Sequence, residues 1–161
     1  MKAILLLKYR ESQTGLYERI RIIFNQRKEM IPITRIKETC LYVTNLEKTK
    51  AFYHQKLGLP LISMVPGRHI FFRAGESVLL CFIASQTEKE TILPPHGATG
   101  RIHFAFEVGQ QEYEKVVQEI ENSGIGITHH HTWPNGVRSF YFSDPDEHVV
   151  EILEEGLWEK R

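Results

Sequence analysis

A single carboxylate stands among apolar residues in the run Val149-Val150-Glu151-Ile152-Leu153. Alternation along a strand puts Val149, Glu151 and Leu153 on one face and Val150 and Ile152 on the other. A carboxylate is costly to hold on a half-buried sheet face unless a cation meets it, and a divalent metal is the cation expected at Glu151. Two more residues of ligating type occupy matching places earlier in the chain, Glu38 five residues before Val43 and His103 five residues before Val108. Glu38, His103 and Glu151 are therefore the candidate metal ligands. Three protein ligands leave coordination positions open, as catalytic sites need and structural sites avoid. Two carboxylates and one imidazole suit a single divalent ion of the Zn, Mn, Fe, Ni or Co group.

Other residues could complete such a site. Tyr141 precedes Glu151 by ten residues across an expected hairpin, so its phenol should enter the same cup and could donate to a substrate oxygen; the plain alternative is aromatic packing. Glu38 could also shuttle a proton on leaving the metal. In His129-His130-His131, alternation sends His129 and His131 one way and His130 the other, so one imidazole, assigned to His131, edges the pocket. His96 lies on a connector and either lines the pocket or sits at the surface, and Trp133 could add an aromatic wall. Arg138 could clamp a carboxylate or phosphate bidentately, or serve a surface salt bridge. Cys40 shares the strand face of Glu38, where a small buried hydrophobe is the simpler reading.

The elements that must position these residues come twice. Leu41-Tyr42-Val43 is a strand. Thr44 to Glu47 has capping-box spacing, and Leu46, Phe52, Tyr53 and Leu57 form the stripe of a helix ending at Gly58. Strands follow at 61–65, 69–72 and 78–82. After a polar connector, Ala84 to Gly100, the order returns: a strand at 103–108, a helix carrying Tyr113, Val116, Val117 and Ile120 to a stop at Gly124, and a strand from Ile125 to Trp133. Pro134-Asn135-Gly136 then turns the chain, and Asp144-Pro145-Asp146 links the last two strands. Val43 to Gly58 is fifteen residues and Val108 to Gly124 sixteen, so the chain is a tandem repeat of βαβββ modules near 35–84 and 101–155. Neither module buries both faces of its sheet alone, so the two should pair. Matching Phe71-Phe72 to Tyr141-Phe142 sets Leu80, which cannot ligate, where the second module has Glu151.

Composition bounds the partners. Twenty basic and twenty acidic side chains in 161 residues leave no field to attract nucleic acid, which points to a small-molecule substrate or a second copy of the chain. Ala3 to Leu7 is too short an apolar run for a signal peptide or a membrane span. With Cys40 and Cys81 inside strands, reduced thiols in the cytoplasm are the plain reading. Residues 1–30 carry net charge +4 against −4 for the remainder, and Leu16, Ile20, Ile23 and Phe24 suggest an amphipathic helical extension before a main domain at 31–161. Met30 leads straight into the first strand and could be the natural start.

The segments LYVTNLEKTKAFYHQKLGL at 41–59, HFAFEV at 103–108 and YFSDPDEHVVEIL at 141–153 resemble the vicinal oxygen chelate superfamily, which includes glyoxalase I, extradiol dioxygenases, fosfomycin-modifying thiol transferases and bleomycin-resistance proteins. The resemblance implies an α+β fold in which paired βαβββ units form a curved, mainly antiparallel sheet around a metal-holding cup, usually in a homodimer. It carries the ligand positions onto Glu38, His103 and Glu151. It departs at Leu80, where glyoxalase I has a glutamate, and at Glu147, where the family has glycine. The expected function is a metal-dependent enzyme of glyoxalase or dioxygenase type, either lyase/isomerase or dioxygenase, acting on a small oxygenated substrate by bidentate chelation. The alternative is a metal-free small-molecule binding protein like the bleomycin-resistance branch.

Overall fold

In the computed structural model, residues 31–159 are described. The N-terminal helical extension expected within 1–30 lies outside them, and residues 31–35 carry no regular structure. From Ile36 onward the chain is one compact unit. Its first strand, β1 (Glu38–Tyr42), leads into a helical segment made of an α-helical part, α1 (Leu46–Lys50), and a π-helical part, Ala51–Lys56. Asn45 caps α1, its side chain accepting from the Lys48 amide at 3.0 Å. Thr44 is used differently from the expected capping box: its amide and hydroxyl both donate to Asp146 Oδ1, at 2.8 and 2.6 Å. The π segment closes with Leu57 N–H donating to Phe52 C=O, a wider turn that buries the adjacent Phe52 and Tyr53 together.

Strands β2 (Leu61–Val65), β3 (His69–Ala74) and β4 (Ser77–Phe82) complete the first module, and a short helix, α2 (Ala84–Thr87), interrupts the connector. The second module has β5 (His103–Val108), α3 (Tyr113–Asn122), β6 (His129–Thr132), β7 (Arg138–Ser143) and β8 (Val149–Glu154). Each module makes a four-stranded mixed sheet, ordered β1-β4-β3-β2 in one and β5-β8-β7-β6 in the other. The first strand of each runs parallel to the last, and the remaining pairs are antiparallel. This is the twin βαβββ architecture the sequence predicts.

The strand expected from Ile125 is shorter than its apolar alternation suggests. Gly124 turns at φ 71° and the Ile125 amide returns to Ile120 C=O at 3.2 Å, so this residue finishes α3 and strand pairing starts only at Thr128.

The modules share one apolar core that includes Leu41, Tyr53, Ile70, Phe72, Phe140, Phe142 and Val150. Phe52 meets Phe142 across the module boundary with ring centroids 6.1 Å apart. Fully burying such a side chain contributes about 1.5–3 kcal/mol, so this contact helps hold the sheets together. Polar bolts add to it. His148, 2 % exposed, accepts from the Ile102 amide at Nδ1 (3.1 Å) and donates from Nε2 to Tyr42 C=O (2.9 Å), tying the end of β1 to the start of β5.

Candidate metal centre

Strand alternation and pairing build the site on the second sheet. Glu151 lies opposite Tyr141 on β7 and beside Ala105 on β5, and His103 pairs with Val149 two residues before it. The result is a half-exposed His103 whose Nε2 is 3.3 Å from Oε2 of the buried Glu151. The other ring nitrogen, Nδ1, is 3.2 Å from Val149 C=O. A carbonyl only accepts, so Nδ1 carries the hydrogen, and Nε2 faces the carboxylate, where a second hydrogen or an ion between the two groups would make the contact favourable. A metal-ligating histidine is oriented in this way. Tyr141 donates to Glu151 Oε1 at 2.7 Å. Burial raises the Tyr141 phenol pKa, Ser139 acts against that rise, and the Glu151 carboxylate adds to it, so the hydroxyl stays protonated at neutral pH.

His103, Glu151 and Tyr141 thus come together as expected. His129 and His131 extend the same face: ring centroids run 6.1 Å from His103 to Tyr141, 5.8 Å from Tyr141 to His129, and 4.7 Å from His131 to Trp133. His130 points the other way, against Phe140.

Three of the expected residues are elsewhere. Glu38 begins β1 on the first sheet, paired with Val78. Among the described residues no three His, Cys, Asp or Glu side chains converge as a ligand set, so Glu38 does not join His103 and Glu151 of its own chain. His96 lies by the first sheet, with Nδ1 2.8 Å from the Tyr42 hydroxyl and its ring against Phe82. Arg138 shares its strand face with Phe140 and Phe142 and lies 4.3 Å over the Tyr113 ring, on the helix side of the sheet. Its guanidinium pairs with Glu154 at 2.5 Å and with Glu114, and these bonds raise its pKa further. The salt-bridge alternative is the one realised, and Arg138 is no substrate clamp on this face.

Ser139 was not legible as a site residue. It is fully buried, receives the Trp133 indole N–H at 3.3 Å and donates to the Tyr141 hydroxyl at 3.3 Å. Its only sequence signal was its parity with Tyr141.

The first sheet repeats the geometry without the chemistry. Phe71 faces Leu80 on the rung where Tyr141 faces Glu151. Around it the rings are packed: His69 stacks on Phe71 at 4.1 Å, and Phe71 meets Phe82 at 5.2 Å. A cavity of about 670 Å³ lies on the helix side of β5, lined by Leu57, Leu79, Phe104, Phe106 and Ile120 among others. It contains no histidine, and His103 and Glu151 are not part of it.

The twin βαβββ fold is that of a glyoxalase-type protein, and the comparison with known families agrees. The chain belongs to the Glyoxalase/Bleomycin resistance protein/Dioxygenase superfamily, whose family model matches residues 35–152. It is 31 % identical to the glutathione transferase FosA of Serratia marcescens over 116 residues, 70 % of this chain and 74 % of that protein. It is also 31 % identical to the uncharacterised protein YwkD of Bacillus subtilis over 127 residues, 74 % and 96 % of the two chains. Among solved structures, the lactoylglutathione lyase of Agrobacterium tumefaciens superposes with a TM-score of 0.76 at 34 % identity, covering 81 % of this chain and all of that one.

Proposed function

We propose that the protein is a metal-dependent enzyme acting on a small oxygenated substrate. His103 Nε2 and Glu151 Oε2 would hold the ion from one chain, and Glu38, at the start of edge strand β1, would complete the set from a second copy in a homodimer. The observation that carries this reading is the 3.3 Å approach of His103 Nε2 to Glu151 Oε2 with Nδ1 committed to a backbone carbonyl. When bound, a divalent ion supplies Lewis-acid polarisation of two neighbouring substrate oxygens. The chain's own groups do the rest. Tyr141 occupies Glu151 Oε1 and keeps its proton, so it serves as a donor toward negative charge on the carboxylate or on a substrate oxygen. Glu38 is the candidate proton carrier.

Leu80, standing where Glu151 has its counterpart, favours a three-ligand set with open positions over a fourth protein ligand. Two of the similar proteins carry glutathione in their names, a transferase and a lactoylglutathione lyase. Thiol conjugates and their electrophilic precursors are therefore the first compounds to assay.

Dialysed protein reconstituted with single metals is expected to take up about one ion per chain. His103→Ala and Glu151→Ala should abolish uptake, and full stoichiometry in both would reject the site. The ring cluster on the first sheet favours a second reading, a metal-free protein that traps a planar ligand. Freshly purified protein without metal, binding aromatic compounds but turning none over, would select it.

A further inference from the structure

The hydrogen bonds beneath Glu151 form a chain that runs in one direction. Trp133 Nε1 donates to Ser139 Oγ, Ser139 Oγ donates to the Tyr141 hydroxyl, and Tyr141 donates to Glu151 Oε1, at 3.3, 3.3 and 2.7 Å. The direction follows from its two ends. The Glu151 carboxylate can only accept, so Tyr141 spends its one hydrogen there and must accept from Ser139. An indole N–H can only donate, so Ser139 takes it on a lone pair while its own hydrogen goes to Tyr141. Each bond polarises the next, so removal of the first weakens the last.

From this we infer that Trp133 and Ser139 are positioning residues that reserve one oxygen of Glu151. With Tyr141 bonded to Oε1, Oε2, the oxygen beside His103 Nε2, is the better placed of the two to present to an ion. The inference rests on the metal reading above for its consequence, although the chain itself exists without metal. Trp133 thereby passes from an expected substrate wall to a part of the support. Its indole is held by the turn that follows it: Trp133 N–H donates to Val137 C=O and Gly136 N–H returns to Trp133 C=O, both at 2.8 Å, with Gly136 at φ 86°. A positive φ of this size suits glycine and few other residues, so the Pro134-Asn135-Gly136 turn sets the indole and, through it, the carboxylate.

Two measurements on the full chain test this. In metal-free protein, the Trp133 indole N–H signal, assigned with Trp133→Phe, reports the first bond directly. Ser139→Ala should move it toward the free-indole position and speed its exchange with water, whereas Ser139→Thr, which keeps the hydroxyl, should leave it in place. An unmoved signal in Ser139→Ala overturns the chain, even in a protein that binds no metal. In calorimetric titration with Mn²⁺ or Zn²⁺ alone, Ser139→Ala and Trp133→Phe should each weaken binding about 10-fold, the lower range for groups that orient metal ligands. Added to Tyr141→Phe, Ser139→Ala should cost nothing more, because it acts through that hydroxyl. Parental affinity in both single variants, or losses that add to Tyr141→Phe, overturns the positioning role. A parent protein that binds no ion removes the proposed function, and the indole signal then decides the chain by itself.

Discussion

The Tyr53 hydroxyl donates a 2.7 Å hydrogen bond to Asp144 Oδ2, joining the first module's helix to the second module's last turn across 91 residues. Both side chains are buried. The other oxygen of Asp144 accepts the amides of Asp146 and His148, each at 2.9 Å. The Asp-Pro-Asp turn that looks local in the sequence is thus also a joint between the two halves.

That joint sets an alkaline limit. Burial first, then the Asp144 carboxylate, hold the Tyr53 phenol well above its ordinary pKa of 10.0, and burial does the same for the Cys81 thiol. A group whose pKa is raised by folding stabilises the native state fully below its unfolded pKa, and that contribution is lost as pH rises toward the folded one. Thermal midpoints should therefore fall as pH climbs beyond about 10, the unfolded phenol value. Tyr53→Phe should flatten that fall while costing about 1–3 kcal/mol at neutral pH, because Asp144 loses a donor in the interior. A variant with the parental alkaline profile would remove Tyr53 from the explanation.

Replacing His148 by alanine breaks the Ile102 and Tyr42 bonds together and leaves a backbone amide and a carbonyl without their partner. Each unsatisfied buried group costs about 1–3 kcal/mol, so the urea midpoint should drop by the equivalent of at least about 2 kcal/mol. A midpoint within error of the parent would show that the modules do not depend on this clip.

Glu147 occupies φ 65°, a left-handed conformation that β-branched residues resist. Its ion pair with Arg101 is largely exposed on both sides and contributes little. Glu147→Gly should stay within about 1 kcal/mol of the parent, and Glu147→Val should lose about 2 kcal/mol in chemical denaturation. Equal stabilities for the two variants would show that the backbone relaxes out of this conformation.

The two sheets offer a built-in control. The double substitution Tyr141→Phe with Glu151→Leu copies the Phe71 and Leu80 pair into the second module. Without metal it should be more stable than the parent by about 1–4 kcal/mol, the usual gain when buried charged groups give way to packed apolar ones. With metal the order should reverse, since only the parent gains from binding: an ion at 100 times its Kd adds about 2.7 kcal/mol. Melting curves with and without added Mn²⁺ or Zn²⁺ measure both.

Periodicity made much of this legible. Spacing located the modules, and strand parity put Tyr141 on Glu151 and separated His130 from its neighbours. The same parity, applied to Arg138 alongside Phe140 and Phe142, gives the helix side, so that placement was available in the pattern. Other features were not. The stripe of Leu46, Phe52, Tyr53 and Leu57 fits an α-helix and a π-helical turn alike, since the difference is a single backbone step at Leu57. Ile125 reads as a strand residue because its role in ending α3 depends on Gly124 turning back. Bonds from Asp144 to Tyr53, and from His148 to Tyr42, join residues too distant in the chain for any local pattern to report. Whether Glu38 meets His103 depends on how sheets lie beside one another, which alternation within a strand does not encode.

Strands β1 and β5 are both outer strands, and each brings a candidate ligand to a rim whose hydrogen-bonding row is unmatched within its own sheet. On the proposed reading Glu38 reaches the His103 and Glu151 of a second molecule, so dilution dismantles the catalytic apparatus before it unfolds anything. Specific activity would then climb with enzyme concentration and level off, and a cell could govern the reaction through the abundance of the protein alone.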